Sequence, residues 1–340
     1  MGSEASLSAT PSAGRLIVRP IDGVQVTNPN DQQCQAPSLW KQVAPLVGAA
    51  AVDLTTFRRP GGANSRLAHW EPAEPTLRWF KSYLQLAAES APHKHLEHLG
   101  RIGPLDIGSP VSVRVQCQTP GPGQTAEALD VNLDYLLAIE EFSFVEEALR
   151  VETLRTIVEL GAGFGRTCHV LLELLPNLEH YYIVDLPETL SLSKAYLSAA
   201  LPSALFHKIE FVRADDQAAF PGQVDLFFQI DGLQEMPPDE IDHLYRALVC
   251  RAQDVYVCNP IGKYEPEIAG VLGVNPEGRA AAMRMGRCRS LVDPWDEVSL
   301  HSARAHFVDA YRPVGYDVVR STRSRLRPFY QHVLYSRTSK

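Results

Sequence analysis

Residues Thr156-Ile-Val-Glu-Leu-Gly-Ala-Gly-Phe-Gly-Arg-Thr167 decide how the rest of the chain is read. Thr156–Leu160 is a short apolar run rich in β-branched residues and stopped by glycine, the pattern of a buried parallel strand. Gly161, Gly163 and Gly165 follow at alternate positions. Cys168–Leu175 then has helical apolar spacing and stops at Pro176. The stretch therefore predicts strand, glycine turn and helix. The glycines allow a tight turn and a close approach by a ligand. The helix start beyond them offers free N–H groups. A dinucleotide turn needs Gly-x-Gly-x-x-Gly, and its third glycine would fall on Arg166, so that pattern fails.

The spacing that fits is Glu159-x-Gly161-x-Gly163-x-Gly165. It resembles the first motif of class I methyltransferases, which bind S-adenosylmethionine (SAM) and release S-adenosylhomocysteine. Further on, His180-Tyr-Tyr-Ile-Val-Asp185 reads as a second strand ending in an acid. A carboxylate there is placed to accept both ribose hydroxyls of a nucleoside. Its other reading is a cap for the helix opened by Pro187 and Glu188. Leu186, next to it, is counted with the cofactor set.

The following elements extend an open α/β sheet. Ile209–Asp216 is a third strand with Asp215 and Asp216 at its end, the edge where such sheets bind ligands. One of the pair is a candidate for the adenine amine; a turn and a divalent cation are the alternatives. Val224–Asp231 is a fourth strand. Ile230 at its end joins the cofactor set. Asp231 and Glu235 are the candidate catalytic acids, and Gln234 and Glu235 candidate acceptor contacts, because Gly232–Met236 opens the next helix above the methyl donor. Asp231 as a helix cap and Glu235 as a first-turn acid favoured by the dipole are the plainer readings. Asp254–Cys258 is a fifth strand. About fifty residues, 261–311, then stand where one helix would suffice, which suggests a lid or specificity element. This insertion includes an arginine-bearing helix over Pro276–Arg289 and a helix over Val298–Tyr311. Tyr316–Arg325 and Pro328–Ser336 read as a closing antiparallel pair.

Upstream, residues 1–14 are expected to be a disordered tail. Arg15–Val26 suggests a hairpin. Pro37–Leu46, Pro75–Ser90 and Leu96–Gly103 have helical spacing, and Val111–Gln118 alternates like a strand. Thr119-Pro-Gly-Pro-Gly-Gln124 reads as a linker. The expected organisation is an accessory domain over 15–120 and a catalytic domain over 121–340. Thr125–Arg150 is expected to be a long helix with seven acids and one base. These acids read as a solvated face, or as Asp130, Asp134 or Glu141 looking into the site, with Asn132 and Tyr135 as candidate acceptor contacts.

The chain has 340 residues, 45% of them hydrophobic, enough for a sizeable core. A net charge of -8 disfavours a nucleic-acid partner and favours a cationic one. The six cysteines are scattered, with Cys168, Cys250 and Cys258 reading as buried thiols and no metal site expected. With no signal-like or membrane-length apolar run, the expected location is the cytoplasm.

From about Leu96 onward the chain resembles the sugar O-methyltransferase family. The matching words are Ile157-Val-Glu-Leu-Gly-Ala-Gly-Phe-Gly-Arg166, Tyr182-Ile-Val-Asp-Leu-Pro-Glu188 and Leu233-Gln-Glu-Met236. The resemblance implies a Rossmann-like seven-stranded sheet with an antiparallel last strand, a methyl-transfer reaction, SAM as cofactor and a sugar acceptor. An amine and a hydroxyl acceptor both stay open on the residues alone. The acid-rich segments 127–147 and 231–242 favour a polycationic amino sugar such as an aminoglycoside. A homodimer through the N-terminal helices is expected by analogy of fold.

Overall fold

In the computed structural model, residues 52–60, 76–116, 128–264 and 276–338 are described. The hairpin over Arg15–Val26 and the helix over Pro37–Leu46 lie outside them. The first helices are α1 (Leu77–Glu89) and α2 (His93–Leu99). The strands β1 (Ser112–Gln116) and β2 (Ala128–Asn132) come next, then α3 (Leu133–Glu146). The sheet region runs β3 (Thr156–Leu160), α4 (Arg166–Leu174), β4 (His180–Asp185), α5 (Pro187–Ala200), α6 (Ser203–Phe206), β5 (Ile209–Arg213) and β6 (Val224–Ile230). It ends with α7 (Pro238–Ala247), β7 (Ala252–Pro260), α8 (Pro276–Arg284), α9 (Glu297–Ala310), β8 (Tyr316–Arg323) and β9 (Tyr330–Arg337).

Seven strands form one sheet in the order β5-β4-β3-β6-β7-β9-β8. The first five are parallel, and β9 runs antiparallel between β7 and β8. This is the expected class I methyltransferase sheet. The order reverses between β3 and β6, so the crevice that binds ligands in open sheets opens there, at the strands' carboxyl ends. Strand alternation explains how both faces are covered. Ile157, Ile183, Leu226, Phe228 and Tyr256 face a core shared with α1, α3, α4 and α5. Val158, Val184, Phe227, Val255 and Val257 face a second core under α7 and α9. Buried on both sides, these strands read as nearly continuous apolar runs.

The region before β3 departs from the expectation of one long helix. Its first part is β2, paired antiparallel to β1 with Val113 opposite Val131. The expected linker, 119–124, lies outside the described residues between these paired strands. Phe80, Leu84, Leu96, Leu99 and Val113 share the same core as α3 and α4. Nor is α3 a solvated acidic helix: every residue from Leu133 to Val145 is buried. Its acids are tolerated because each has a partner. Glu141 pairs with Arg166 and Arg327, Asp134 lies 3.6 Å from Arg58, and Glu140 takes Ser324 and the Arg325 N–H. Cys250 is exposed, against expectation, in the middle of a 3₁₀ turn, while Cys168, Cys258 and Cys288 are buried.

Candidate active site

Gly161, Gly163 and Gly165 all have left-handed backbone, with φ of 75°, 60° and 96°. A Cβ on Gly165 would stand 2.7 Å from Leu197 Cδ1, so this glycine lets α4 and α5 pack. A Cβ on Gly161 would meet nothing within 4 Å, so this side of the turn is open. Asp185 is joined to the turn directly. Its Oδ2 accepts the Gly163 N–H at 3.2 Å and its Oδ1 the Leu186 N–H at 2.8 Å. The helix-cap alternative is not what forms: Leu186 is the N-cap of α5 and makes no side-chain cap bond. Burial pushes the Asp185 carboxyl up to about 7 despite these bonds. An open glycine edge beside a carboxylate with lone pairs to spare fits the ribose and methionine parts of SAM. Leu186 is half-buried next to Asp185, and Ile230 is buried at the end of β6.

Glu159 has a different place. It is buried, its Oε2 accepts the Tyr181 hydroxyl at 2.8 Å, and burial raises it to about 7. It supports the turn from the protein interior instead of lining the open side. Asp215 is likewise engaged: Arg213 donates to both its oxygens, at 2.9 and 2.7 Å, on the surface. Asp216 is exposed at the start of a 3₁₀ turn.

The acceptor edge follows β6. Gly232–Glu235 is a 3₁₀ turn, and the α-helix begins only at Pro238, after Pro237. Asp231 stands at the N-cap position of this turn but makes no side-chain cap bond. It has a φ of 65°, a strained backbone for a residue with a side chain, and Arg327 Nη1 donates to its Oδ2 at 2.8 Å. Glu235 Oε2 is enclosed and has no hydrogen-bond partner. Burial, and then the Asp231 charge, push its carboxyl up to about 8, with Lys263 pulling the other way. Burial pulls the Lys263 ammonium down to about 8. Both groups are moved toward their neutral forms.

The insertion braces this turn. Lys263 Nζ donates to Gln234 O at 2.9 Å, and the Gly286 N–H to Met236 O at 2.7 Å. A Cβ on Gly286 would fall 1.8 Å from Gln234 Oε1 and 3.0 Å from its Cα, so only glycine lets the insertion come this close. Arg287 pairs with Asp242 and lies over Tyr245. His301 and His306 are exposed. Gln234 is buried and donates to Pro260 O.

Two expected acceptor contacts are structural instead. Asn132 is the N-cap of α3: its Oδ1 accepts the Tyr135 N–H and its Nδ2 donates to Leu105 O. Tyr135 is fully buried, with its hydroxyl bonded to His169 Nδ1 at 2.5 Å and the Tyr196 hydroxyl at 2.8 Å. Asp130 pairs with Arg114 on the exposed face of the β1–β2 pair. Sequence reasoning missed Arg58, Arg166, Lys263 and Arg327. Arg58 is buried, donates to Leu105 O and Ile107 O, and lies 5.3 Å from the Phe164 ring in the glycine turn. No local pattern marks these cations, since their partners are distant in sequence.

No family model and no curated protein matches the chain. Solved structures do. The mitomycin 7-O-methyltransferase MmcR is 15% identical, with a TM-score of 0.43, over 60% of this chain and 56% of that one. Magnesium protoporphyrin IX methyltransferase from Synechocystis PCC 6803, solved with SAH, is 13% identical, with a TM-score of 0.37, over 61% and 88%. The N,N-8-amino-8-demethyl-D-riboflavin dimethyltransferase RosA from Streptomyces davawensis is 12% identical, with a TM-score of 0.39, over 60% and 57%. The chain thus spans little more than half the length of the first and third. Among the described residues no helix is long and apolar enough to cross a membrane. The assignment to the class I methyltransferase fold rests on the strand order and the glycine turn.

Proposed function

We propose that the chain is a SAM-dependent methyltransferase that methylates an amino group of a polycationic amino sugar, in its finest form an aminoglycoside of the gentamicin type. One juxtaposition carries the reading. β3, which ends in the open glycine turn beside Asp185, pairs directly with β6, which ends at Asp231 and the unpartnered Glu235. A cofactor cradle and a poised carboxylate thus share one sheet edge.

When bound, SAM supplies an electrophilic methyl on a sulfonium. In this reading the open side of Gly161 admits its methionine end, Asp185 accepts the ribose hydroxyls, and Asp216 lies toward adenine. The protein's main contribution is to hold donor and acceptor in line and dry. An ammonium has no lone pair, so the acceptor must first give up a proton. Glu235 receives it, and Asp231 steadies the positive charge that develops on nitrogen.

Internal pairing of the α3 acids removes half of the charge argument for a polycation, because those carboxylates serve the fold. This favours a second reading, O-methylation of a neutral sugar. The test is incubation of the full chain with methyl-labelled SAM and either aminoglycosides or neutral glycosides. Label in the amino sugars, with apparent affinity that weakens as salt rises, is the expected result. Label only in neutral glycosides would shift the reading to O-methylation. SAM binding with no turnover on either panel would make the chain a SAM-binding module.

A further inference from the structure

Arg327 comes from the loop between β8 and β9 and is nearly buried. Its Nη1 donates to Asp231 Oδ2 at 2.8 Å and its Nη2 to Glu141 Oε1 at 3.0 Å. Its guanidinium lies 4.0 Å from the Tyr330 ring centroid, and its Nη2 lies 3.7 Å from Cys258 Sγ. Glu141, with no exposed surface, is also held by both terminal nitrogens of Arg166, at 2.9 and 2.8 Å. Arg166 is the first residue of α4, directly after the glycine turn. Four alternating charges thus run from the cofactor turn to the end of β6. Only the last, Asp231, is substantially open, with 34% of its side chain exposed.

We propose that Arg327 is a positioning residue for the acceptor edge: it engages the Asp231 carboxylate and leaves Glu235 as the acid that meets the acceptor. The inference rests on the reading that the acceptor meets the 231–235 turn. The loop that carries Arg327 is itself fixed. Glu140 accepts the Ser324 hydroxyl and the Arg325 N–H, and the Arg327 N–H donates to Ser324 Oγ at 2.9 Å. The guanidinium is therefore pre-set and does not have to be recruited by substrate. A planar fork spanning two carboxylates is a role that lysine cannot fill with the same geometry. The Tyr330 side chain also hydrogen-bonds the Asp231 carboxylate, so the cation and the ring that it lies against hold the same group. The charged groups around Glu235 are Asp231 and Lys263. Those around Arg327 are Asp231 and Glu141, with Cys258 and Tyr330 also against it.

Loss of the Arg327 cation leaves more uncompensated negative charge beside Glu235. Glu235 then holds its proton to higher pH, and the acid limb of the rate profile moves up. The test measures pH–rate profiles and SAM affinity for wild type, Glu235→Gln, Arg327→Met, Arg327→Lys, Asp231→Asn and the Arg327→Met/Asp231→Asn pair. Arg327→Met is expected to lower kcat by about tenfold or more and to move the limb upward. Its SAM affinity should stay within about threefold of wild type. Arg327→Lys should bring the limb back to its wild-type position. The double variant should be no slower than the slower single one, because Arg327 acts through Asp231. Multiplied losses in the pair would overturn the inference. So would an unmoved limb in Arg327→Met, or rate and SAM affinity falling together in both Arg327 variants. Wild type without amine methylation, or Glu235→Gln with a wild-type profile, would overturn the functional reading and this inference with it. A lost limb in Glu235→Gln with additive Arg327 and Asp231 effects would sink the inference alone.

Discussion

Glu235 and Glu159 are both buried carboxyls pushed upward by burial, and their consequences differ because only Glu235 lacks a partner. At Glu235, raised to about 8, the basic form appears only as pH climbs through that value. Methyl transfer to an amine should therefore increase across that window. Glu235→Gln should remove the limb while costing at most about 10²-fold in kcat, since proximity dominates the reaction. At Glu159, the folded protein keeps a proton up to about 7, whereas an exposed glutamate releases it near its ordinary 4.5. Between these values the folded state binds more protons than the unfolded one, so stability falls as pH rises. Glu159→Gln keeps an oxygen for Tyr181 and loses that penalty. Urea melts at about pH 5 and about pH 8 should show a shallower decline in the variant than in wild type. An identical decline would refute this account of Glu159.

Among the elements, α3 departs most from what its sequence suggests. Asn132 opens it as a cap, so Asn132→Ala should cost about 1–2 kcal/mol of stability and leave acceptor affinity unchanged. A raised KM with unchanged stability would return Asn132 to the acceptor site. The β3–turn–α4 unit was readable because its signals are local: a β-branched run, alternate glycines and a helical repeat within twenty residues. The sheet edge that carries the crevice follows from it. The burial of α3 was not readable. A helix rich in acids looks solvated until its cations are found, and these arrive from 25 and 186 positions away. For the same reason Asp231 looked like a free base or a cap, while its partner Arg327 lies 96 positions downstream. Asp185 was legible because it ends a strand next to the turn that it bonds.

At the scale of the whole molecule, the sheet assembles one edge from parts that are far apart in sequence. The glycine turn lies on one side of the switch between β3 and β6, and the Asp231–Glu235 turn on the other. The insertion and the β8–β9 loop hold that second turn from two directions, so it is a fixed wall with the insertion as its brace. On the outside, α1 leaves Trp79, Tyr83 and Leu86 exposed along one helical face, at 72%, 41% and 67%. Such a stripe suits self-association, and light scattering of the full chain should give the mass of a dimer. A monomer mass at micromolar concentration would contradict that expectation.

Every step of the account depends on SAM occupying the glycine turn and being held by Asp185. Calorimetric titration of the full chain with SAM, alongside Asp185→Ala, tests this most directly. The predicted result is one site per chain in wild type and affinity weakened by about tenfold or more in the variant, the loss expected when a hydrogen-bonded charged partner is removed. No binding by wild type, or the same affinity in both proteins, would contradict the account.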